Sequence, residues 1–445
     1  MKTIRNIKAI VAIGIMASVI FFIPSCVETT RKPIVKLGID ILEERGFDLL
    51  QGKVVGVLTN QAGVNGKGEL TWKLIKNAPG VSLKAIFAPV HGLEGRYMSL
   101  ETFYHDEVEN IPVYSVFASN SRPKDEWLQG IDAMVVDLQG LGIRYYNYWA
   151  AMVYTMVACF TKGIEVIVLD RPNPLSGNYV GGPIMDKENT SVWGPIVGLP
   201  LFYGLTIGEL AKYCKNSRAD KIFAYPRKET GVPYSGLQVT QEIMDKGKLT
   251  VVPMEGWKRD MRWEDTGLKW KQTSPNIVNL QSAYEYALLS FGTFVSSNYG
   301  HDNCNFIRLE PDWKRSLPFH RFYSKYTTPK SIVRYIYESL KDNKSGFTLS
   351  PSTSTELYVD ISVKDIRKTV PASFGIAMLA LAQKCARFYF IDDDDYYYFA
   401  THIGDKELAE NLRNKELVNI TYFIKKWKEQ SLQFLEEVKL YQIYD

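Results

Sequence analysis

The stretch Val54-Val55-Gly56-Val57-Leu58-Thr59, followed at once by Asn60-Gln61, has the form of a buried strand that ends in polar side chains. Short runs rich in apolar and β-branched residues repeat this form at 83–87, 133–137 and 165–170. Segments with helical periodicity, such as 70–77 and 150–161, stand between them. This alternation predicts an α/β fold with a Rossmann-like, doubly wound parallel sheet.

The polar residues that follow these strands should lie close together, because parallel strands end at one edge and ligands of open α/β sheets bind there. They are Asn60, Gln61, His91, Asp137, Gln139, Asp170, Arg171 and Asn173. A dinucleotide is not the expected ligand, since the glycines after the first strand do not follow the G-x-G-x-x-G order and no Walker A sequence occurs. We therefore expect a ligand site that uses neither a cofactor nor a metal.

Two strings at this edge each permit two interpretations. The prolines of Asp170-Arg171-Pro172-Asn173-Pro174 make a rigid loop, whose polar side chains either contact a ligand or form an internal Asp–Arg pair. The string 137–148 combines Asp137, Gln139 and Arg144 with three tyrosines, a mixture typical of sugar sites. The tyrosines can equally belong to the core of the next helix.

Several residues near the edge can carry acid–base chemistry. Glycoside hydrolysis normally uses two carboxyl groups that flank the scissile bond. The plausible acids are Glu94, Glu101, Asp106, Asp137 and Asp170. His91 can act as an acid, a base or a hydrogen-bond donor because its ordinary pKa lies near neutrality, although a single histidine can also be purely structural.

The N-terminal segment predicts export. Lys2, Arg5 and Lys8 precede a short apolar run and then Ile23-Pro24-Ser25-Cys26, the layout of a secretory signal peptide. The run is shorter than the roughly 20 residues of a bilayer span, and the small residue before Cys26 predicts cleavage and lipid attachment there. We expect an exported, membrane-anchored lipoprotein that faces the periplasm or the cell surface; the alternative is an ordinary signal peptide.

Length and charge suggest a two-domain protein that does not bind nucleic acid. The formal net charge of +4 is too small to attract polyanions, and the scattered cysteines lack the spacing of a zinc site. Chains of 445 residues exceed the size of one hydrophobic core. We expect a signal peptide at 1–26, a linker and helix at 27–48, and domains at 49–255 and 256–445, divided where the sequence becomes tryptophan-rich.

The aspartate run 392–395 is interpreted as a solvated turn, because calcium-loop spacing is absent.

Several motifs, taken together, closely resemble the NamZ family, formerly called DUF1343. They are Leu58-Thr59-Asn60-Gln61-Ala62-Gly63, Phe87-Ala88-Pro89-Val90-His91-Gly92, the strings 137–148 and 169–177, Gly204-Leu205-Thr206-Ile207-Gly208-Glu209-Leu210, Val252-Pro253-Met254 with Gly256-Trp257, and Ser274-Pro275-Asn276. The resemblance implies an exo-acting β-N-acetylmuramidase that releases terminal N-acetylmuramic acid from peptidoglycan fragments. It also implies a Rossmann-like N-terminal domain, a smaller α/β C-terminal domain and an active site in the cleft between them.

The chain departs from the family pattern at acidic positions. Val90 stands where the family has the glutamate of its Pro-Glu-His-Gly motif, Gly140 replaces an aspartate, and the segment 297–301 replaces a Ser-Glu-Gly-Arg-Gly loop. The resemblance leaves Asp137, His91, Glu94 and Glu101 as catalytic candidates, with Glu94 as a possible relocated acid. Asn60, Gln61, Gln139, Arg144, Asp170, Arg171 and Asn173 remain to bind a sugar, and the two arginines are natural partners of its lactyl carboxylate. Two hypotheses follow: a glycosidase with rearranged acids, or a lipoprotein that binds glycans without hydrolysis.

Overall fold

The computed structural model describes residues 35–96, 105–116, 122–190, 194–217, 219–222, 239–289, 308–309, 318–340, 346–353, 357–385, 390 and 393–445. Cys26, Glu101 and the segment 297–301 lie outside these residues. The roles expected of them stay predictions, as does the division of the chain at 255/256.

The sheet of the first half is mostly parallel. Along the chain the strands of this half are β1 (Val54–Thr59), β2 (Ser82–Ala88), β3 (His105–Val108), β4 (Ile111–Ser115), β5 (Ala133–Asp137), β6 (Glu165–Leu169), β7 (Val180–Ile184), β8 (Pro200–Tyr203) and β9 (Leu249–Val252). One sheet has the order β3-β4-β2-β1-β5-β6-β9, with only β3 antiparallel to its neighbour, while β7 and β8 form a separate antiparallel pair. The predicted α/β fold is confirmed, and the four predicted strands match observed strands to within one residue at each end.

The helices of this half cover both faces of the sheet. They are α1 (Gly38–Glu44), α2 (Thr71–Lys76), α3 (Tyr148–Thr161), α4 (Ile207–Asn216) and α5 (Gln241–Lys246). Helix α3 is apolar on every side and is buried along nearly its whole length, as expected for a helix inside the core. Tyr146 and Tyr148 are buried in this core, whereas Tyr145 is only half-buried, so the core interpretation holds for two of the three tyrosines.

The second half contains an antiparallel sheet and a group of helices. Its elements are α6 (Leu280–Leu289), β10 (Arg308–Leu309), β11 (Arg321–Tyr323), α7 (Pro329–Leu340), β12 (Phe347–Pro351), β13 (Tyr358–Val363), α8 (Pro371–Lys384), α9 (Asp393–Ile403), α10 (Lys406–Arg413) and α11 (Ile420–Val438). The strand order is β10-β11-β13-β12. In the part of the chain that the structure describes, no helix is both long and apolar enough to cross a membrane.

In the aspartate run, residues 393–395 begin a helix where the sequence suggested a turn; Asp393 and Asp394 are exposed to solvent as expected, and Asp392 lies outside the described residues. Asp393, Asp394 and Asp395 are the first residues of α9, and the side chain of Asp395 is buried. Carboxylates in the first turn of a helix are stabilised by the positive end of its dipole, which explains why an acidic run begins a helix here.

Candidate active site

Asp137 and Arg171 form a buried ion pair at the carboxyl end of β5. Arg171 donates from Nε to Oδ1 of Asp137 and from Nη2 to Oδ2 at 2.8 Å, and both side chains are almost completely buried. The Thr71 hydroxyl also donates to Oδ2, and Arg171 Nη2 donates to the carbonyl of Val64 at 2.6 Å. Both carboxylate oxygens of Asp137 therefore already accept hydrogen bonds, and the geometry favours a positioning role for this residue over proton transfer.

Asp170 holds two distant segments against the end of β6. Its Oδ1 accepts from the amides of Arg171 at 2.9 Å and Gly208 at 2.7 Å. Its Oδ2 accepts from the hydroxyls of Thr206 at 2.8 Å and Tyr444 at 2.6 Å. Burial raises the pKa of this carboxyl to about 6 in spite of these four donors. The internal ion pair, one of the two interpretations of the Asp170-Arg171 string, does not form, because Arg171 pairs with Asp137 instead.

Gly208 makes the approach of Asp170 to α4 possible. A Cβ at this position would lie 2.7 Å from Cγ of Asp170, which is too close for any side chain. Thr206 and Glu209 cap the same helix end reciprocally, with Glu209 N donating to the Thr206 hydroxyl at 3.1 Å and Thr206 N to the Glu209 carboxylate at 3.0 Å. The sequence Thr-Ile-Gly-Glu thus brings the helix N-terminus onto a strand-end carboxylate.

The four amide side chains expected at the edge mostly bind backbone carbonyls. Gln61 donates to the carbonyls of Gln272 at 3.1 Å and Thr273 at 3.0 Å, and Asn60 contacts the same Thr273 carbonyl. Gln139 donates to the carbonyls of Gly140 and Pro172, both at 2.9 Å, and Asn173 to that of Leu205 at 3.1 Å. The Oε1 atoms of Gln61 and Gln139 are buried, and neither has a hydrogen-bond partner among the described residues. These side chains fix the loops, and the two amide oxygens remain as acceptors.

The loop after β2 combines an apolar residue with a strained histidine. Val90 is buried in the hydrophobic core, so nothing at this position donates or accepts a proton. His91 has a φ of 74°, a left-handed conformation that is uncommon for a residue with a side chain and is concentrated at functional sites. Glu94, the possible relocated acid, is 57% exposed and pairs with Arg96 at 2.6 Å. The carboxylate of Glu94 is therefore in contact with solvent and is not enclosed in a pocket.

Arg144 lines a cleft that residues of both halves build. The cleft has a volume of about 50 Å³, and its lining consists of Arg144, Tyr145, Asn147, Met185, Gly194, Thr401 and His402. The Arg144 guanidinium donates to the carbonyls of Pro183 at 3.0 Å, Leu199 at 2.7 Å and His402 at 3.2 Å, and also to that of Ile403. No carboxylate of the described residues lies within ion-pair distance of it, and its buried Nε has no partner there. Burial lowers the pKa of Arg144 to about 10, although Tyr145 and the carboxylates of Asp186 and Asp405 act in the opposite direction, so the group stays charged at neutral pH.

His402 faces this cleft from helix α9. Its Nδ1 lies 2.7 Å from the carbonyl of Tyr398, so Nδ1 carries a proton and Nε2 is an acceptor. Burial lowers the pKa of His402 to about 4. Sequence reasoning missed His402 and Thr401, since a helical histidine 258 residues from Arg144 carries no local signal of proximity.

The structure brings Asp137, Asp170 and Arg171 together at the ends of β5 and β6, whereas the side-chain hydrogen bonds of Arg144 are to carbonyls of Pro183, Leu199 and the 402–403 segment. Asp137, Asp170, Arg171, Asn60 and Asn173 are occupied by internal contacts. Arg144 is the member of the set that presents a charge without a carboxylate partner among the described residues.

Comparison with known proteins identifies the family. The family model described as exo-beta-N-acetylmuramidase NamZ, N-terminal, matches residues 55–281. The chain belongs to the NamZ family. The match begins in β1 and runs through the parallel sheet into α6, so it includes every edge residue discussed above.

A curated relative and two solved structures agree with this assignment. The peptidoglycan beta-N-acetylmuramidase NamZ of Bacillus subtilis (strain 168) is 34% identical over 277 residues, and the alignment spans 61% of this chain and 61% of that protein. A DUF1343 family protein (BF0371) of Bacteroides fragilis NCTC 9343 superimposes with a TM-score of 0.74 at 25% identity, covering 93% of this chain and 100% of that one. A second, BF0379, gives 0.59 at 21% identity over 92% of this chain and 99% of the other, which shows the shared fold.

Proposed function

We propose that this protein is an exo-acting peptidoglycan β-N-acetylmuramidase, a glycoside hydrolase that releases terminal N-acetylmuramic acid from peptidoglycan fragments. The family membership and the 34% identity to a curated peptidoglycan beta-N-acetylmuramidase support this proposal. The substrate class is a muropeptide or a related glycan, with no cofactor.

One observation in the structure carries the choice of substrate. N-acetylmuramic acid differs from N-acetylglucosamine by a lactyl ether that carries a carboxylate. The cleft lined by Arg144, Tyr145 and Asn147 offers such an anion a buried cation that forms no salt bridge with the described residues, although Asp186 and Asp405 act on it at longer range, together with an aromatic ring and an amide. Charged donors in a site of low dielectric bind carboxylates strongly, so this cleft suits the acidic sugar better than its neutral analogue.

The experiment compares two substrates that differ only in the lactyl group. Purified protein is incubated with the 4-nitrophenyl β-glycosides of N-acetylmuramic acid and of N-acetylglucosamine, and release of nitrophenolate is followed at several pH values. We expect turnover of the first substrate and at least tenfold lower kcat/KM for the second. Equal turnover of both substrates would show that Arg144 does not select the substrate. No turnover of either would contradict the proposed hydrolase activity.

A second candidate function, glycan binding without hydrolysis, is favoured by the state of the predicted acids. Val90 is apolar, both oxygens of Asp137 accept hydrogen bonds from Arg171, and Glu94 is exposed. This function predicts saturable binding of a muramyl disaccharide by calorimetry, with no product after prolonged incubation. The same assays therefore separate the two functions.

We also propose that the protein is exported and anchored in a membrane through lipid at Cys26. The N-terminal layout described above supports this proposal. Replacement of Cys26 by alanine should move the protein from the membrane fraction to the soluble fraction and abolish labelling by a radioactive fatty acid. If the wild-type protein, with Cys26 in place, is already found in the soluble fraction, the proposed lipid anchor is wrong.

A further inference from the structure

A carboxyl group that the proposed function has not yet used lies inside the second half of the chain. Glu285, on helix α6, is completely buried. Its Oε1 accepts from Gln281 Nε2 at 2.6 Å and contacts His320 Nδ1 at 3.1 Å. Its Oε2 is buried and has no hydrogen-bond partner among the described residues. A buried carboxylate costs several kcal/mol unless it is paired, so a half-satisfied one requires an explanation.

His320 connects this buried acid to the solvent. Its side chain is 30% exposed, whereas that of Glu285 is fully buried. The two ring nitrogens lie on opposite edges of the imidazole, so Nε2 points away from Glu285. A carboxylate that accepts from Nδ1 fixes the orientation of the ring and stabilises its charged form, as in histidines that transfer protons.

The charged groups around the pair support a charged imidazole. The hydrogen bond to Glu285 raises the pKa of His320, and Asp360 on β13 acts in the same direction. Arg321 on β11 opposes them, but its guanidinium is bound to Asp360 in a two-point contact with Nη2 3.0 Å from Oδ2. Burial raises the pKa of Glu285, partly offset by His320 and Gln281. Both pKa shifts are upward, so the pair keeps a proton to higher pH than the two separate groups would.

The neighbours of the pair in the chain belong to a chain of aromatic contacts that reaches the loop after β5. Phe319, next to His320, packs on Tyr286, next to Glu285, with ring centroids 5.0 Å apart. Tyr286 in turn lies 6.5 Å from Tyr146 in the loop that carries Arg144 and Tyr145. Tyr286, next to Glu285 in the chain, thus packs on the loop that also carries Arg144 and Tyr145.

We propose that His320 is a proton-transfer residue of the hydrolysis proposed above, on which this inference rests, and that Glu285 is the positioning residue that holds it. The proton on Nε2 passes to the glycosidic oxygen while the bond from the anomeric carbon to that oxygen breaks and the bonding pair leaves with the oxygen. Water adds to the anomeric carbon and returns one proton to the imidazole. The pair would supply the proton that Val90 cannot supply.

The test uses leaving groups that differ in their need for a proton. Wild type, His320→Gln and Glu285→Gln are assayed with a muramyl-β-1,4-N-acetylglucosamine disaccharide and with a 2,4-dinitrophenyl β-glycoside of N-acetylmuramic acid. We expect His320→Gln to reduce kcat for the disaccharide by about 10²- to 10⁴-fold, the usual contribution of general acid–base catalysis. The loss should be less than tenfold for the dinitrophenyl substrate, whose leaving group departs without protonation, and KM should change little.

Glu285→Gln keeps the size of the side chain but removes its charge. We expect the basic limb of the pH–rate profile to move to lower pH, because the imidazolium loses its partner. Gln281→Met is the matched control: it removes the other hydrogen bond to the same Oε1, and any loss should be equal for the two substrates. Circular dichroism and thermal unfolding of each variant check the fold.

The outcomes are distinct. A wild type that hydrolyses both substrates, with His320→Gln equally active on the disaccharide or equally impaired on both substrates, overturns the role of His320 and leaves the proposed hydrolase intact. A folded wild type that hydrolyses neither substrate overturns the hydrolase and this inference together.

Discussion

Arg144 and Arg171 lie in the loops that follow the neighbouring strands β5 and β6, and both are almost completely buried, yet their surroundings differ. Arg171 is neutralised by the carboxylate of Asp137. Arg144 is held by backbone carbonyls alone in the described residues, beside an open cleft. The sequence can therefore predict that an arginine is a candidate anion site, whereas the presence or absence of a counter-ion decides whether its charge is available to a ligand. Arg144 is therefore suited to ligand binding, and Arg171 to stabilising the fold.

The largest effect is expected from Arg171→Met. This change leaves the buried Asp137 carboxylate without its cation, which costs about 3–5 kcal/mol of unfolding free energy. Urea denaturation of the purified protein measures it. The control is Arg171→Met combined with Asp137→Asn, which removes both charges and should recover part of the loss. A single variant as stable as the double variant would contradict the importance of this pair.

The protonation of His402 should give a pH dependence of stability next to Arg144. Burial holds the pKa of His402 at about 4, below the 6.5 of an unfolded chain, so the unfolded state binds a proton first as the pH falls. The contribution of His402 to the free energy of unfolding is therefore fully present above pH 6.5. It decreases between pH 6.5 and about 4, by roughly 3 kcal/mol. Urea midpoints of wild type and His402→Gln across this range test it, and equal slopes in the two proteins would contradict it.

Asp170 should contribute with the opposite sign in nearly the same pH range. Its pKa is about 6 in the fold and 3.8 in the unfolded chain, so the native state binds the extra proton. This contribution makes the protein less stable as the pH rises from about 4 to 6. Asp170→Asn should therefore show a steeper loss of stability on acidification than wild type. A shallower loss would mean that Asp170 is ionised throughout.

Replacement of Arg144 should cost less stability than replacement of Arg171 but should alter substrate choice. Arg144→Met leaves neutral carbonyls that water from the cleft can hydrate, at about 2 kcal/mol in total. The preference for the muramic acid glycoside over the glucosamine glycoside should fall at least tenfold, while Arg171→Lys, which keeps a cation beside Asp137, should leave the preference unchanged. An unchanged preference in Arg144→Met would break the contrast between the two arginines.

The smallest effect on stability is expected at Glu94. Its ion pair with Arg96 is exposed, and such pairs contribute less than about 1 kcal/mol. Glu94→Gln should unfold within about 0.5 kcal/mol of wild type and keep its turnover. A hundredfold loss of kcat with unchanged stability would instead identify Glu94 as the relocated acid.

The strands and their polar ends could be predicted from the sequence because both depend on local patterns. The apolar, β-branched run of β1 and the Asn60 that follows it are adjacent in the chain, and parallel strands fix where their ends meet. The cap of α4 was equally readable in retrospect, since Thr206 and Glu209 stand three residues apart. These features need no knowledge of distant segments.

The partners of the charged residues could not be predicted. Arg171 binds Asp137, 34 residues away, and not the adjacent Asp170, because its side chain turns toward the end of β5. His402 reaches the Arg144 cleft from a helix in the other half of the chain, and Glu285 meets His320 across 35 residues. Such contacts depend on the packing of whole elements, which no short motif records.

The hydrogen bond between Asp170 and Tyr444 also has a consequence for protein synthesis. The two residues are 274 positions apart, and the neighbouring amide of Ile443 donates to Glu209 at 2.8 Å. At roughly 5–20 residues per second, a ribosome makes Tyr444 about 15–55 s after Asp170. During that interval the Asp170 carboxylate at the end of β6 lacks the hydrogen bond from Tyr444. The parallel sheet can therefore begin to form early on the ribosome, but the hydrogen bonds at the end of β6 are completed only when residues near 444 have emerged.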